Sequence, residues 1–119
     1  MHSPSLQSRM PFTPRLVHVT APSVKEARKL AKGILEHRFA ACVNIILEVE
    51  SHYWWKGKLE KAKEVTLLIK SSREQFDALA GYVRKHHSYD CPEIVSVTPQ
   101  EISPAYRSWW DEAMMKPSD

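Results

Sequence analysis

The sequence predicts an α+β fold in the order β-α-β-β-α-β, followed by one further helix. Three observations carry that expectation. Residues 42–55 and 58–70 read as two long strands joined by the short turn Lys56-Gly57. One stretch of helical periodicity precedes this pair and another follows it, each opened by a serine with an acidic or amide residue three positions on. Short β-type runs bounded by proline stand at 16–20 and 93–98.

Leu16 to Thr20 is the first strand, and Ala21-Pro22 ends it. Ser23 and Glu26 form a capping box, after which Val24, Ala27, Leu30, Ala31, Ile34 and Leu35 share one helical face, so the first helix runs to about His37 or Arg38. In the first arm of the hairpin, Val43, Ile45, Leu47 and Val49 alternate with Asn44, Ile46, Glu48 and Glu50. In the second, Val65, Leu67 and Ile69 do the same, the period of a strand with one face in a core. Ser72 and Gln75 make a second box, and Phe76, Leu79, Ala80 and Val83 stripe a helix that ends near His86-His87. Residues 88–92 (SYDCP) are a loop, because the residue before a proline avoids the helical region. Glu93 to Thr98 is the fourth strand. Ser103 with Pro104 opens the last helix, whose stripe is Tyr106, Trp109, Trp110, Ala113 and Met114.

This order is the ferredoxin-like plan, an antiparallel sheet with both helices on one face. Its other face, to which Ile46 and Leu68 point, needs cover: the C-terminal helix or a neighbouring subunit. The hairpin makes the stronger demand. An arm of about 13 residues at about 3.3 Å each reaches roughly 40 Å, whereas a helix of about 15 residues is some 22 Å long. Helices of the same chain fall short of the far end, and an isolated ribbon is marginal in water. Unless a bulge breaks the arms, Tyr53, Trp54 and Trp55 need a second chain, so the sequence points to an oligomer.

Composition narrows the classes. The 119 residues are one domain's worth, and 43% hydrophobic with 26% charged residues is ordinary for a soluble globular protein. Residues 1–14 read as a disordered tail, 15–115 as the domain and 116–119 as a C-terminal tail. The net charge of +3 is spread without a run of lysine or arginine, against nucleic acid as a partner. No stretch approaches the about 18 apolar residues of a membrane span. Cys42 and Cys91 make no disulfide framework and no zinc spacing, so reduced thiols in the cytoplasm are the simpler reading. A targeting segment removed from the N-terminus would change that compartment. Cys42 reads as a buried structural cysteine opening a central strand, and Cys91 as exposed.

Five pieces in order, Thr20-Ala-Pro22, residues 41–45 (ACVNI), 53–57 (YWWKG), Glu64 leading to Ile69-Lys70, and 87–94 (HSYDCPEI), resemble the CutA divalent-cation tolerance proteins, the animal branch most of all. Residues 103–106 (SPAY) and Trp109 continue the match, which spans about residues 15–113. The resemblance implies a homotrimer built on the long hairpins, binding of copper and other divalent cations, and no catalytic activity. For animal members it implies a link to acetylcholinesterase, whose membrane anchoring they assist. In some bacterial members the copper ligands are a cysteine just before Thr-Ala-Pro and a histidine pair after the second helix. The pair falls on His86 and His87, but the cysteine position is Val19, which binds no metal, and neighbouring His18 points to the opposite face of the strand. Cys91 is a possible substitute ligand.

Each sharp reading has a plainer rival. Two imidazoles suit Cu(II), yet adjacent helical residues face apart, and histidines in a last turn also favour the helix dipole. Tyr53, Trp54 and Trp55 suit base stacking, but the glycine–aromatic signature of an RNA-recognition sheet is missing and four hairpin glutamates repel phosphate, so a subunit contact is the better reading. The alternative function is a small-molecule sensor or enzyme using the loop at 86–93, where His87, Tyr89, Asp90 and Glu93 cluster.

Overall fold

The computed structural model describes residues 11–115; the tails at 1–10 and 116–119 lie outside them. The elements are β1 (Pro14–Ala21), α1 (Val24–Glu36), β2 (Cys42–Trp55), β3 (Lys58–Ser72), α2 (Phe76–His86), β4 (Ile94–Val97) and α3 (Pro104–Met114). The order matches the expectation. The four strands form one antiparallel sheet in the order β2-β3-β1-β4. Pro14 opens β1, and the Thr13 hydroxyl and N–H both donate to Glu74, at 2.7 and 2.8 Å. Partial burial works to raise the Glu74 carboxyl, but the two Thr13 bonds and neighbouring Arg73 outweigh it and hold it below the usual carboxylate range.

Alternation selects the core. Val17, Val19 and Ala21 of β1 and Val65, Leu67 and Ile69 of β3 point to one face, where Ala27, Leu30, Ala31 and Ile34 of α1 and Leu79 and Val83 of α2 cover them. The helices approach closely at Gly33. A Cβ there would overlap the Tyr82 hydroxyl, so any larger residue would have to displace that ring. Ser23 caps α1 by accepting from the Glu26 N–H at 3.2 Å. Ser72 accepts from the Gln75 N–H, but that bond closes a turn, and α2 starts only at Phe76 with Gln75 as its N-cap.

The hairpin departs from simple alternation. Ile46 pairs with Thr66 and Val49 with Glu64, so β2 carries one residue more than β3 in that interval. Glu48 takes the left-handed conformation there, φ 61°. This β-bulge turns the strand over. Val43 and Ile45 face the helices as expected, but Val49 joins Ile46 on the opposite face, and Leu47 is exposed. The alternation expected through Leu47 and Val49 is thus corrected by one inserted residue. The arms stay paired beyond the bulge to Trp55↔Lys58 and draw the molecule out to 61 × 30 × 23 Å.

The C-terminal helix does not cover the open face. Trp110 donates its indole N–H to the Ser71 carbonyl at 3.0 Å, and Arg38 donates to the Ala113 carbonyl at 2.8 Å. These bonds hold α3 at the end of β3 and the α1–β2 junction. Ile46, Val95 and Val97 on the open face remain exposed.

Candidate functional site

Two regions gather the residues singled out by sequence. The first is the end of α2 and the loop behind it. His86 is exposed, its ring 4.3 Å from that of Tyr82, one helical turn back. His87 is the C-cap, and its extended backbone (ψ 146°) turns the chain inward. Its side chain is fully buried. The Nε2–H donates to the Thr20 carbonyl at 2.7 Å, and Nδ1 accepts from the Tyr89 N–H at 3.0 Å. A carbonyl only accepts and an amide N–H only donates, so these partners define a neutral imidazole with the proton on Nε2. Glu26 Oε2 lies 3.4 Å from Nδ1. That nitrogen directs its lone pair to Tyr89, so the carboxylate is held instead by the Ser88 N–H and hydroxyl, each at 3.0 Å. The expected capping box is therefore half formed: Ser23 caps the helix, while Glu26 ties it to the loop after α2.

Tyr89 carries the loop onto the sheet. Its hydroxyl donates to Glu64 Oε2 at 3.0 Å, and Glu64, only 8% exposed, shares its face of the sheet with buried Thr20 and Thr66. Partial burial, then the hydrogen bond to Glu64 and its negative charge, push the Tyr89 phenol up to about 12. Below pH 10 the phenol is protonated in both folded and unfolded chains, and the bond contributes in full. Between pH 10 and about 12 the unfolded chain ionises first, so that contribution falls as pH rises. The urea midpoint at fixed protein concentration is expected to drop less across this window in Tyr89→Phe than in the parent chain. Equal slopes would contradict the Tyr89–Glu64 coupling.

Of the loop residues read together at 87–93, His87 and Tyr89 stay in contact, their ring centres 4.9 Å apart, and Glu93 takes a different partner. Glu93 bonds to His18 Nδ1 at 2.5 Å on the open face, while Tyr89 turns to Glu64. Glu26, Glu64 and Thr20 complete the cluster, and sequence order does not mark them, because their partners lie 62, 25 and 67 positions away. The histidines at 86 and 87 diverge, one outward and one inward, and Cys91 is exposed. Among the described residues no three His, Cys, Asp or Glu side chains are placed to hold a metal ion. The described residues do not make a preformed divalent-metal cage.

Cys42 is corrected in two respects. It opens β2, an edge strand, and is half-buried. Its cationic neighbour is Lys70, directly opposite on β3, with Nζ 3.9 Å from Sγ and also bonded to Asn44. Cross-strand register, absent from sequence order, makes that pair.

The second region is the hairpin end. Trp54 pairs with Leu59 on one face, at 70% and 68% exposure, while Tyr53 and Trp55 occupy the other with Glu60 and Lys58 opposite. Lys56 and Gly57 turn the chain in the left-handed region, at φ 50° and 79°. Burying such paired apolar side chains is favourable in water, and among the described residues both stay exposed.

Among the described residues no helix is long and apolar enough to cross a membrane. The match to known proteins spans both regions. Residues 15–113 fit the family model of the CutA1 divalent ion tolerance protein. The chain is 41% identical over 92 residues to the Protein CutA homolog of Xenopus laevis, covering 77% of this chain and 61% of that one. It is 37% identical to the chloroplastic Protein CutA 1 of Oryza sativa, covering 79% and 53%. It thus spans little more than half the length of these curated relatives. The solved structure of the periplasmic divalent cation tolerance protein CutA from Archaeoglobus fulgidus superposes with a TM-score of 0.82 at 35% identity, over 86% of this chain and 99% of that one. By sequence over nearly the whole domain and by fold, the chain belongs to the CutA1 divalent ion tolerance protein family.

Proposed function

We propose that this chain acts as a homotrimer that weakly binds divalent cations, Cu(II) among them, and assists the assembly or localisation of a partner protein rather than catalysing a reaction. The observation that carries the reading is the paired, exposed Trp54 and Leu59 at the end of a ribbon that no helix among the described residues reaches. The exposed apolar residues of the open face, Ile46, Val95 and Val97, support the same reading. A ring of three identical head-to-tail contacts closes without leaving an apolar edge. Light scattering at micromolar concentration tests it: a trimer mass is expected, and a monomer mass contradicts it.

Cation binding centres on His86, the accessible imidazole of the pair. His87 joins only by giving up its bonds to Thr20 and Tyr89, each worth on the order of 1 kcal/mol, and that cost keeps the affinity low. The relatives named for divalent-cation tolerance lend the cation its place in the proposal. Calorimetric titration of Cu(II) into a His2→Ala background, which removes a competing histidine near the amino terminus, is expected to lose its heat when His86→Ala is added. His87→Ala is expected to lower stability as well, because the Thr20 carbonyl and the Tyr89 N–H lose their partner. If His86→Ala/His87→Ala binds as well as the background, these histidines only end a helix. The partner class remains a protein, as animal relatives' link to acetylcholinesterase suggests by resemblance, and the compartment proposed is the cytoplasm.

The sensor reading of the loop at 86–93 is favoured by one observation, the buried Glu64 held by Tyr89. A metabolite that raises the melting temperature in the parent chain but not in Tyr89→Phe would move the assignment there.

A further inference from the structure

A groove of about 460 Å³ opens between the start of β1, the segment 98–102 and the first turns of α3. That volume lies within the roughly 300–1,000 Å³ of small-molecule sites. Two arginines line it, and each is anchored by something other than a carboxylate. Arg15 is half-buried, and its Nη1 donates to the Pro14 carbonyl at 3.0 Å. The Arg107 guanidinium lies over the Phe12 ring, 5.2 Å from its centre. Among the described residues neither has a carboxylate within ion-pair distance. A guanidinium offers five N–H donors in a planar fork, and Arg15 spends one of its five on the Pro14 carbonyl. Thr98 and Gln100 add polar side chains to the lining, and Glu101 adds a carboxylate.

We propose that this groove binds a small oxyanion, of the carboxylate or phosphate class, between the Arg15 and Arg107 guanidiniums. Fork-shaped donors match the paired oxygens of both classes, and anchoring both side chains in advance lowers the entropy lost on binding. Glu101 sets the selectivity. Its charge repels a bare anion and favours one that also carries a hydroxyl or amine as a donor. The site lies apart from the histidine pair and from the hairpin end, and it stands whether or not the chain binds copper.

Thermal melting of the full chain tests the site, with inorganic phosphate and citrate as probes against sodium chloride at matched ionic strength. A rise in melting temperature with either probe is expected, and it is expected to vanish in Arg15→Gln and in Arg107→Gln. Glu101→Gln is expected to strengthen the phosphate response by removing the repulsion. A response to phosphate alone assigns the phosphate class, and one to citrate alone the carboxylate class. A response no larger than that to chloride, or one that persists in Arg15→Gln/Arg107→Gln, overturns the proposal. Should either substitution lower the unliganded melting temperature, backbone amide shifts of Thr98 and Gln100 on titration of the parent chain provide the second measurement. If those amides do not move, the site is refuted.

Discussion

Lysine placed together at Trp54 and Leu59 is expected to leave the chain folded and to dissociate the proposed trimer. The two side chains face each other across the hairpin, 70% and 68% exposed, beyond the reach of α1 and α2. Their loss cannot open the core, which lies at the other end of the strands among Val17, Leu67, Ile69 and the helices. Burying a large apolar side chain stabilises by about 1.5–3 kcal/mol, so in the proposed trimer the pair would contribute roughly 3–6 kcal/mol to each contact. At about 1.4 kcal/mol per factor of ten, the dissociation constant rises by about two to four orders of magnitude. In the proposed trimer lysine also adds like charges to each contact, which drives the change in the same direction. Light scattering across a dilution series, beside circular dichroism, reads both halves of the expectation. A variant that keeps its parent's mass throughout would show that these residues lie outside the contact.

The second large effect concerns stability. Trp110 is 2% exposed, packs edge-on to Phe12 at 6.2 Å and Tyr106 at 6.1 Å, and donates its indole N–H to the Ser71 carbonyl. Truncation to alanine removes the anchor of α3. Large aromatic-to-alanine changes in a core cost about 3–5 kcal/mol, a large share of the about 5–15 kcal/mol that holds a domain together. Trp110→Phe keeps most of the ring but removes the indole N–H from the Ser71 carbonyl, a loss of about 0.5–1.5 kcal/mol. Trp109, its neighbour, is 45% exposed, and Trp109→Ala is expected to change monomer stability far less. Urea unfolding of the three variants, at one protein concentration, separates anchor from neighbour. A Trp109→Ala loss equal to that of Trp110→Ala would mean that α3 is held by a different face.

Those two tryptophans mark where local pattern stops being informative. The stripe through Tyr106, Trp109, Trp110, Ala113 and Met114 correctly announced a helix, since apolar spacing near 3.6 residues needs no knowledge of the rest of the chain. It did not say that Trp110 alone would be buried, because α3 packs through one corner onto Ser71 and Arg38 rather than across the open sheet. The hairpin divides in the same way. Its length, its turn at Lys56-Gly57 and its outlying aromatics are all written in residues 42–72. The bulge is not, because Glu48 takes its left-handed conformation without a glycine to announce it.

By itself, then, the sequence determined the order of the elements, the Ser23 cap, the apolar face built from Val17, Leu67 and Leu30, the overlong ribbon and the family. All of these rest on periods of two or 3.6 residues, on caps three positions apart, or on short motifs in series. Tertiary structure alone decided which way His86 and His87 face and which partners complete the cluster behind them. The chain turns inward at His87, so two adjacent imidazoles meet different surroundings, one solvent and Tyr82, the other the carbonyl of Thr20 and the N–H of Tyr89. Tyr89 finds Glu64 25 positions away because β3 passes under the loop, and Glu26 finds Ser88 because α1 starts where α2 ends. Hydrogen bonds across such separations depend on distances of about 3 Å between elements whose packing is settled by the whole core, and no local pattern in the chain records them.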